Sequence, residues 1–262
     1  MMSDVTISDL GGQSDPAESL PELELLYQNG PLHIDWVAGH SKRVVLSFSG
    51  TGSLPEERPA PEFVRLASQG GANTVLYISD KSRSWLNHPG MAEEIADVAE
   101  EVASAMQAEE MIALGNSMGG TSAMLMTEFL AFNAVIAFAP QFSVDPSVLP
   151  YEHRWTKFRR YIEDFRFPHV GKMRDDGPPV FLFHGTHPNE LQHALRFLPS
   201  RAMRQFIFPG LGHDLAGKLK SRGHLEPLIQ LAMDAKAYKL RTRIERLGGQ
   251  RLSELLRDKA AV

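Results

Sequence analysis

Gly115-Asn116-Ser117-Met118-Gly119 is the stretch that most restricts how this chain can fold. The residues before it, Glu110-Met111-Ile112-Ala113-Leu114, are apolar and strand-like, and those after it, Gly120-Thr121-Ser122-Ala123-Met124-Leu125-Met126, can pack as a helix. A serine between two glycines at such a junction has the spacing of a nucleophile elbow, a sharp strand-to-helix turn that pushes the hydroxyl clear of the backbone. A side chain at either flanking glycine would collide with the neighbouring strand or helix. The N–H of Met118, at the start of the helix, then points where an oxyanion would form. The plain alternative is a tight turn around an unreactive serine, and the rest of the chain decides between the two by the partners it supplies.

The elements on either side set the fold class. Asn29-Gly30 between the runs 23–27 and 32–37 is a hairpin signal for two antiparallel edge strands. Residues 43–49 form a near-continuous apolar, β-branched run of the kind buried on both faces, and 73–79, 134–139, 178–184 and 204–208 read as further strands. Pro89-Gly90 opens a helix with Met91, Ile95, Val98, Val102 and Met106 on one face, and further helices are expected over 188–198, 219–235 and 236–262, the last broken at Gly248-Gly249. Strands alternating with helices imply right-handed crossovers and a mostly parallel central sheet with helices on both faces, an α/β fold. In such sheets ligands bind beyond the carboxyl ends of the strands.

Composition limits the function classes. The 262 residues suit one large domain, here 21–235, preceded by an acidic, mobile leader over 1–20 and followed by a basic helical extension over 236–262. A net charge of -5 gives no expectation of nucleic-acid binding. The absence of cysteine excludes disulfides, Cys-based metal sites and a Cys nucleophile. No apolar run approaches a membrane span, and the first 40 residues hold no Lys or Arg to begin a secretory signal, so a cytoplasmic protein is expected.

A serine hydroxyl needs a general base. Pro209-Gly210-Leu211-Gly212-His213 follows the last expected strand and places His213 in a Gly-rich loop able to reach Ser117. The histidine needs a carboxylate to fix its tautomer and stabilise the imidazolium. The usual aspartate is missing after the strand ending at His184. The loop Gly185-Thr186-His187-Pro188-Asn189-Glu190 offers Glu190, and Asp145, beyond the strand ending at Ala139, is the alternative. A second oxyanion donor is expected from the turn Gly50-Thr51-Gly52, with Thr51 N–H assigned and Gly50 or Gly52 beside it.

These residues together resemble the α/β-hydrolase superfamily over about 23–235, through Gly-Asn-Ser117-Met-Gly-Gly and Gly-Leu-Gly-His213, in the order Ser, acid, His. The resemblance implies a serine hydrolase acting on a carboxylic ester or thioester through an acyl-enzyme, with no cofactor and a small-molecule acyl substrate. It also makes residues 141–177 a cap insertion, in which 154–167 has helical character by its own sequence. Trp155, Phe158, Tyr161, Phe165 and Phe167 could wall an acyl or sugar pocket there, and Arg154, Lys157, Arg159 and Arg160 could meet an anionic group. Trp85, after the strand ending at Ser79, is a second candidate substrate contact that could stack on a sugar, with core packing as the other reading. His184, His187 and His193 match no metal-ligand spacing, and no metal is expected. Two other readings remain open: a serine acyltransferase acting on a sugar or small alcohol, and a non-catalytic scaffold whose basic C-terminal helix and acidic leader serve contacts or homo-oligomer formation.

Overall fold

The computed structural model of the chain describes residues 21–260, so the leader over 1–20 lies outside the described residues. The hairpin at Asn29-Gly30 joins β1 (Glu24–Asn29) to β2 (Leu32–Val37), and β3 (Arg43–Phe48) follows. After a long loop come α1 (Val64–Ser68), β4 (Thr74–Asp80) and α2 (Met91–Ala105). The next elements are β5 (Glu110–Asn116), α3 (Met118–Leu125) and β6 (Ala134–Phe138). A long irregular stretch holds only α4 (Thr156–Arg159) before β7 (Val180–Gly185), α5 (Pro188–Ala194) and β8 (Met203–Phe208). The chain closes with α6 (Leu215–Ser221), α7 (Leu225–Met233), α8 (Ala237–Arg246), β9 (Gln250–Arg251) and α9 (Leu252–Ala260).

The strands form one sheet in the order β1-β2-β4-β3-β5-β6-β7-β8-β9. The six from β4 to β8 are parallel, and β1, β2 and β9 pair antiparallel at the two edges. Successive side chains of a strand point to opposite faces, so a strand covered on both sides must be apolar throughout. In β3, Val44 and Leu46 pack with Ile95 and Ala99 of α2, while Val45 faces the other cluster, with Ile229 of α7 and Leu240 of α8. All of these side chains are fully or almost fully excluded from solvent. Among the described residues, no helix is long and apolar enough to cross a membrane.

Three expectations change. The helix expected over 219–235 is two, α6 and α7, separated at Gly223, whose φ is 69°. The C-terminal segment contributes β9, paired with β8, and α8 buries Leu240 and Ile244 in the core. The helical character expected over 154–167 shrinks to the four residues of α4. There, neighbouring side chains are drawn to separate partners: Arg154 to Glu190, Trp155 to His213, and Arg159 Nη1 to the Val144 carbonyl (2.6 Å). The helix ends in a tight turn, where Ile162 N–H donates to the Arg159 carbonyl (3.0 Å).

Candidate active site

The β5–α3 junction fixes Ser117. Its φ of 57° and ψ of −123° lie outside the common regions for a residue with a side chain, the backbone strain of an elbow. A Cβ on Gly115 would come within 2.1 Å of the Gly119 carbonyl oxygen, and one on Gly119 within 2.1 Å of the Phe48 carbonyl oxygen. Strand, turn and helix therefore approach this closely only with glycine on both sides. Ser117 N–H donates to the Phe138 carbonyl on β6 (2.8 Å), and Thr121 N–H donates to the Ser117 carbonyl (3.1 Å).

Glu190 and His213 reach Ser117 because the loops after β7 and β8 are stitched together. Gly210 N–H donates to Thr186 Oγ1 (2.8 Å) and His187 N–H to the Leu211 carbonyl (3.1 Å). His213 Nε2 then lies 2.8 Å from Ser117 Oγ, and His213 Nδ1 lies 3.1 Å from Glu190 Oε1. Burial opposes ionisation of Glu190. The hydrogen bond and charge of His213, then those of Arg154, outweigh it and hold the carboxyl down at about 2. An ionised carboxylate only accepts, so Nδ1 carries the proton and Nε2 is free to accept from the serine hydroxyl. Asp145, the alternative acid, instead accepts Ser147 N–H (2.7 Å) and has no contact with His213 among the described residues.

The loop after β3 is fixed from behind. Arg83, only 2% exposed, donates Nε to the Thr51 carbonyl (3.1 Å), Nη1 to Lys81 O (2.6 Å), and Nη2 to Leu54 O (2.9 Å) and to Glu57 O. Gly50 N–H is taken by Glu62 Oε1 (3.2 Å), and burial pushes the Glu62 carboxyl up to about 7. Thr51 N–H has no partner among the described residues. Met118 N–H, at the first position of α3, lies outside the i→i−4 ladder. Thr51 N–H, in the loop after β3, and Met118 N–H, at the start of α3, are thus open donors among the described residues.

Residues 141–177 supply contacts that the sequence reading did not anticipate. Gln141 Nε2 donates to Ser117 Oγ (2.9 Å). Arg154 bridges Glu190 and Glu152, with Nη1 on the first and Nη2 on the second at 2.6 Å. Glu152 also meets His193 Nε2 (3.0 Å), whose Nδ1 accepts Phe142 N–H (3.1 Å). Although burial opposes it, hydrogen bonds from His193 and Arg154 hold the Glu152 carboxyl far below the usual range. The Trp155 ring lies over His213, with centroids 4.8 Å apart. No local motif announces these partners. The only sequence signal was the crowding of basic and aromatic residues at 154–167.

Other residues named from sequence stand as follows. Trp85 is 2% exposed, with its indole N–H on Gln141 Oε1 (3.0 Å), packed in a cluster with Met118, Val144, Trp155 and Phe158. It braces the site from within and offers no open ring face. The basic side chains expected to meet an anionic group are engaged: Arg154 and Arg159 as above, Lys157 with the Ser53 carbonyl (3.4 Å), and Arg160 with Tyr161 Oη (2.6 Å). His184 Nε2 donates to the Pro140 carbonyl (3.1 Å), and Asn189 N–H donates to His187 Nδ1 (3.4 Å).

No protein-family model and no curated protein matches the chain. Solved structures do. A capsule O-acetyltransferase of Neisseria meningitidis serogroup A is 15% identical with a TM-score of 0.56, over 78% of this chain and 93% of that one. A sugar hydrolase from Lactococcus lactis is 16% identical with a TM-score of 0.53, over 86% and 100%. A hormone-sensitive lipase from a metagenome library is 15% identical with a TM-score of 0.52, over 83% and 85%. With its parallel sheet and edge hairpin, the chain has the α/β-hydrolase fold.

Proposed function

We propose that the protein is a serine hydrolase that cleaves a carboxylic ester or thioester through an acyl-enzyme. The observation that carries this reading is the continuous hydrogen-bonded line from Ser117 Oγ through His213 to Glu190. Ser117 Oγ attacks the carbonyl carbon while His213 Nε2 takes its proton. Glu190 holds the imidazolium that forms, and Met118 and Thr51 N–H groups hold the oxyanion. The leaving group departs with the proton from His213. Water, deprotonated by the same nitrogen, then attacks the acyl-enzyme, and the proton returns to Ser117 as the C–Oγ bond breaks.

One observation favours a second reading, transfer of the acyl group to a hydroxyl. Ser117 is 4% exposed, and its neighbour Met118 packs with Trp85, Trp155 and Phe158, an arrangement that restricts water at the acyl-enzyme. Turnover of p-nitrophenyl esters by wild type and Ser117→Ala tests the first reading. A pre-steady-state burst of one nitrophenol per chain is expected from wild type and none from the variant. Product analysis with an added alcohol separates free acid from the new ester. Equal turnover by both proteins rejects Ser117 as nucleophile, and no turnover by folded wild type favours the non-catalytic scaffold.

A further inference from the structure

Ser117 Oγ has two hydrogen-bond partners among the described residues. His213 Nε2 accepts its proton, and Gln141 Nε2 donates to it at 2.9 Å. The second contact is not a by-product of the elbow, since Gln141 comes from another part of the chain, just past the end of β6 at the start of the long irregular segment.

Which end of the Gln141 amide faces the serine is decided by its other partner. Trp85 Nε1–H is a donor only, and it lies 3.0 Å from Gln141 Oε1. The oxygen must therefore face the indole, and the NH2 must face Ser117. The backbone of Gln141 is fixed as well: its N–H donates to Thr121 Oγ1 (2.9 Å), on the helix that begins at the elbow. Gln141 is 1% exposed, so the amide is withdrawn from water and already oriented. A donor held in place before reaction costs no reorganisation when charge appears on its partner.

We infer that Gln141 is a catalytic residue, donating a hydrogen bond to Ser117 Oγ and stabilising negative charge on that oxygen as its proton leaves and again as the C–Oγ bond breaks. The inference rests on Ser117 being the nucleophile. In acylation the O–H proton passes to His213 Nε2 while the Oγ–C bond forms, and Gln141 carries part of the charge in between. In deacylation Ser117 is the leaving group, and the same N–H makes its oxygen a better one until His213 returns the proton. Gln141 forms no bond and gives up no proton, so neither balance changes. A scaffold role, bridging Trp85 to α3, needs the Oε1 and backbone contacts but not the N–H aimed at Oγ.

The test compares Gln141→Met, which removes the donor at similar volume, with Gln141→Glu, which keeps the shape and the acceptor for Trp85. The measurement is the rate constant for phosphonylation by an alkyl fluorophosphonate. In that reaction the Oγ–P bond forms, P–F breaks, fluoride leaves and the serine proton goes to His213. With melting temperature as the folding control, both variants are expected to react about 100-fold more slowly at neutral pH, the scale of one lost donor at a developing anion. Lowering the pH should narrow the deficit of Gln141→Glu, because a protonated carboxyl regains a donor, while that of Gln141→Met stays constant. Should Gln141→Met not fold, Gln141→Glu and its pH dependence carry the test. A folded variant that reacts within threefold of wild type, or faster, overturns the inference and leaves the triad reading standing. Wild type that does not react at all removes the triad reading itself.

Discussion

Ser117, Glu190 and His213 stand at or just beyond the ends of parallel strands β5, β7 and β8, whereas Gln141, Glu152, Arg154 and Trp155 come from one irregular segment with a single four-residue helix. The first set is positioned by the sheet. Strand register, two obligatory glycines and two stitched loops decide where those side chains go. The second set is positioned by contacts with the first: hydrogen bonds from Gln141 to Ser117 and from Arg154 to Glu190, and a ring contact of Trp155 with His213. On the proposed function the sheet supplies the groups that react, and the 141–177 segment, the proposed cap, supplies groups that hold, charge-balance and shield them. Arg154 is shared between Glu152 and Glu190, so one cation lies between two buried carboxylates.

That division is open to attack by substitution. The largest effect is expected at Ser117, where alanine removes the nucleophile. On this account kcat falls about 10⁴-fold or more with the fold unchanged, read by ester turnover beside a thermal melt. Next, Glu190→Gln should lower kcat by about 10³- to 10⁴-fold, while Asp145→Asn stays within about threefold, because only Glu190 touches His213. The reverse ranking would move the acid into the cap and dissolve the comparison.

A smaller effect lies in the cap. Arg154→Met leaves Glu152 and Glu190 buried, with a shared cation removed, and should destabilise the protein by about 3 kcal/mol in urea unfolding. Adding Glu152→Gln should recover part of that loss, since it removes one of the two stranded charges. A loss no smaller in the double variant would mean that the cap is not balancing charge.

The last prediction concerns the join between the two regions, where His184 of β7 donates to the Pro140 carbonyl at the start of the cap. Burial pushes the His184 imidazole down to about 4, from an ordinary value near 6.5. The unfolded chain therefore binds this proton more readily than the folded one. The stability involved is fully present above pH 6.5 and is lost as pH falls toward 4, by about 3 kcal/mol over the window. His184→Gln should flatten that slope, and an equally steep slope in the variant would assign it elsewhere.

The sheet half was legible in the sequence because its signals are local. A glycine–serine spacing, a Gly-rich loop after a strand and a lone carboxylate in the preceding loop each report a backbone requirement within about ten residues. The cap half was not, because contacts such as Gln141 with Ser117 and Phe142 with His193 span 24 and 51 positions of sequence and start from a segment without periodicity. Arg154 shows the difference. From sequence it reads as a cation available to a substrate, and only the fold reveals two carboxylates waiting for it. For Trp85 the sequence left a substrate contact and core packing both open, and only the fold places it in a buried cluster with Met118 and Trp155.

The measurement that bears most directly on the central claim is intact mass after incubation with a fluorophosphonate, on wild type and on Ser117→Ala. One adduct per wild-type chain and none on the variant is the predicted result, since only an activated serine beside a working oxyanion site reacts at neutral pH. An unmodified wild type that is folded, or a variant that is labelled equally, would contradict the account.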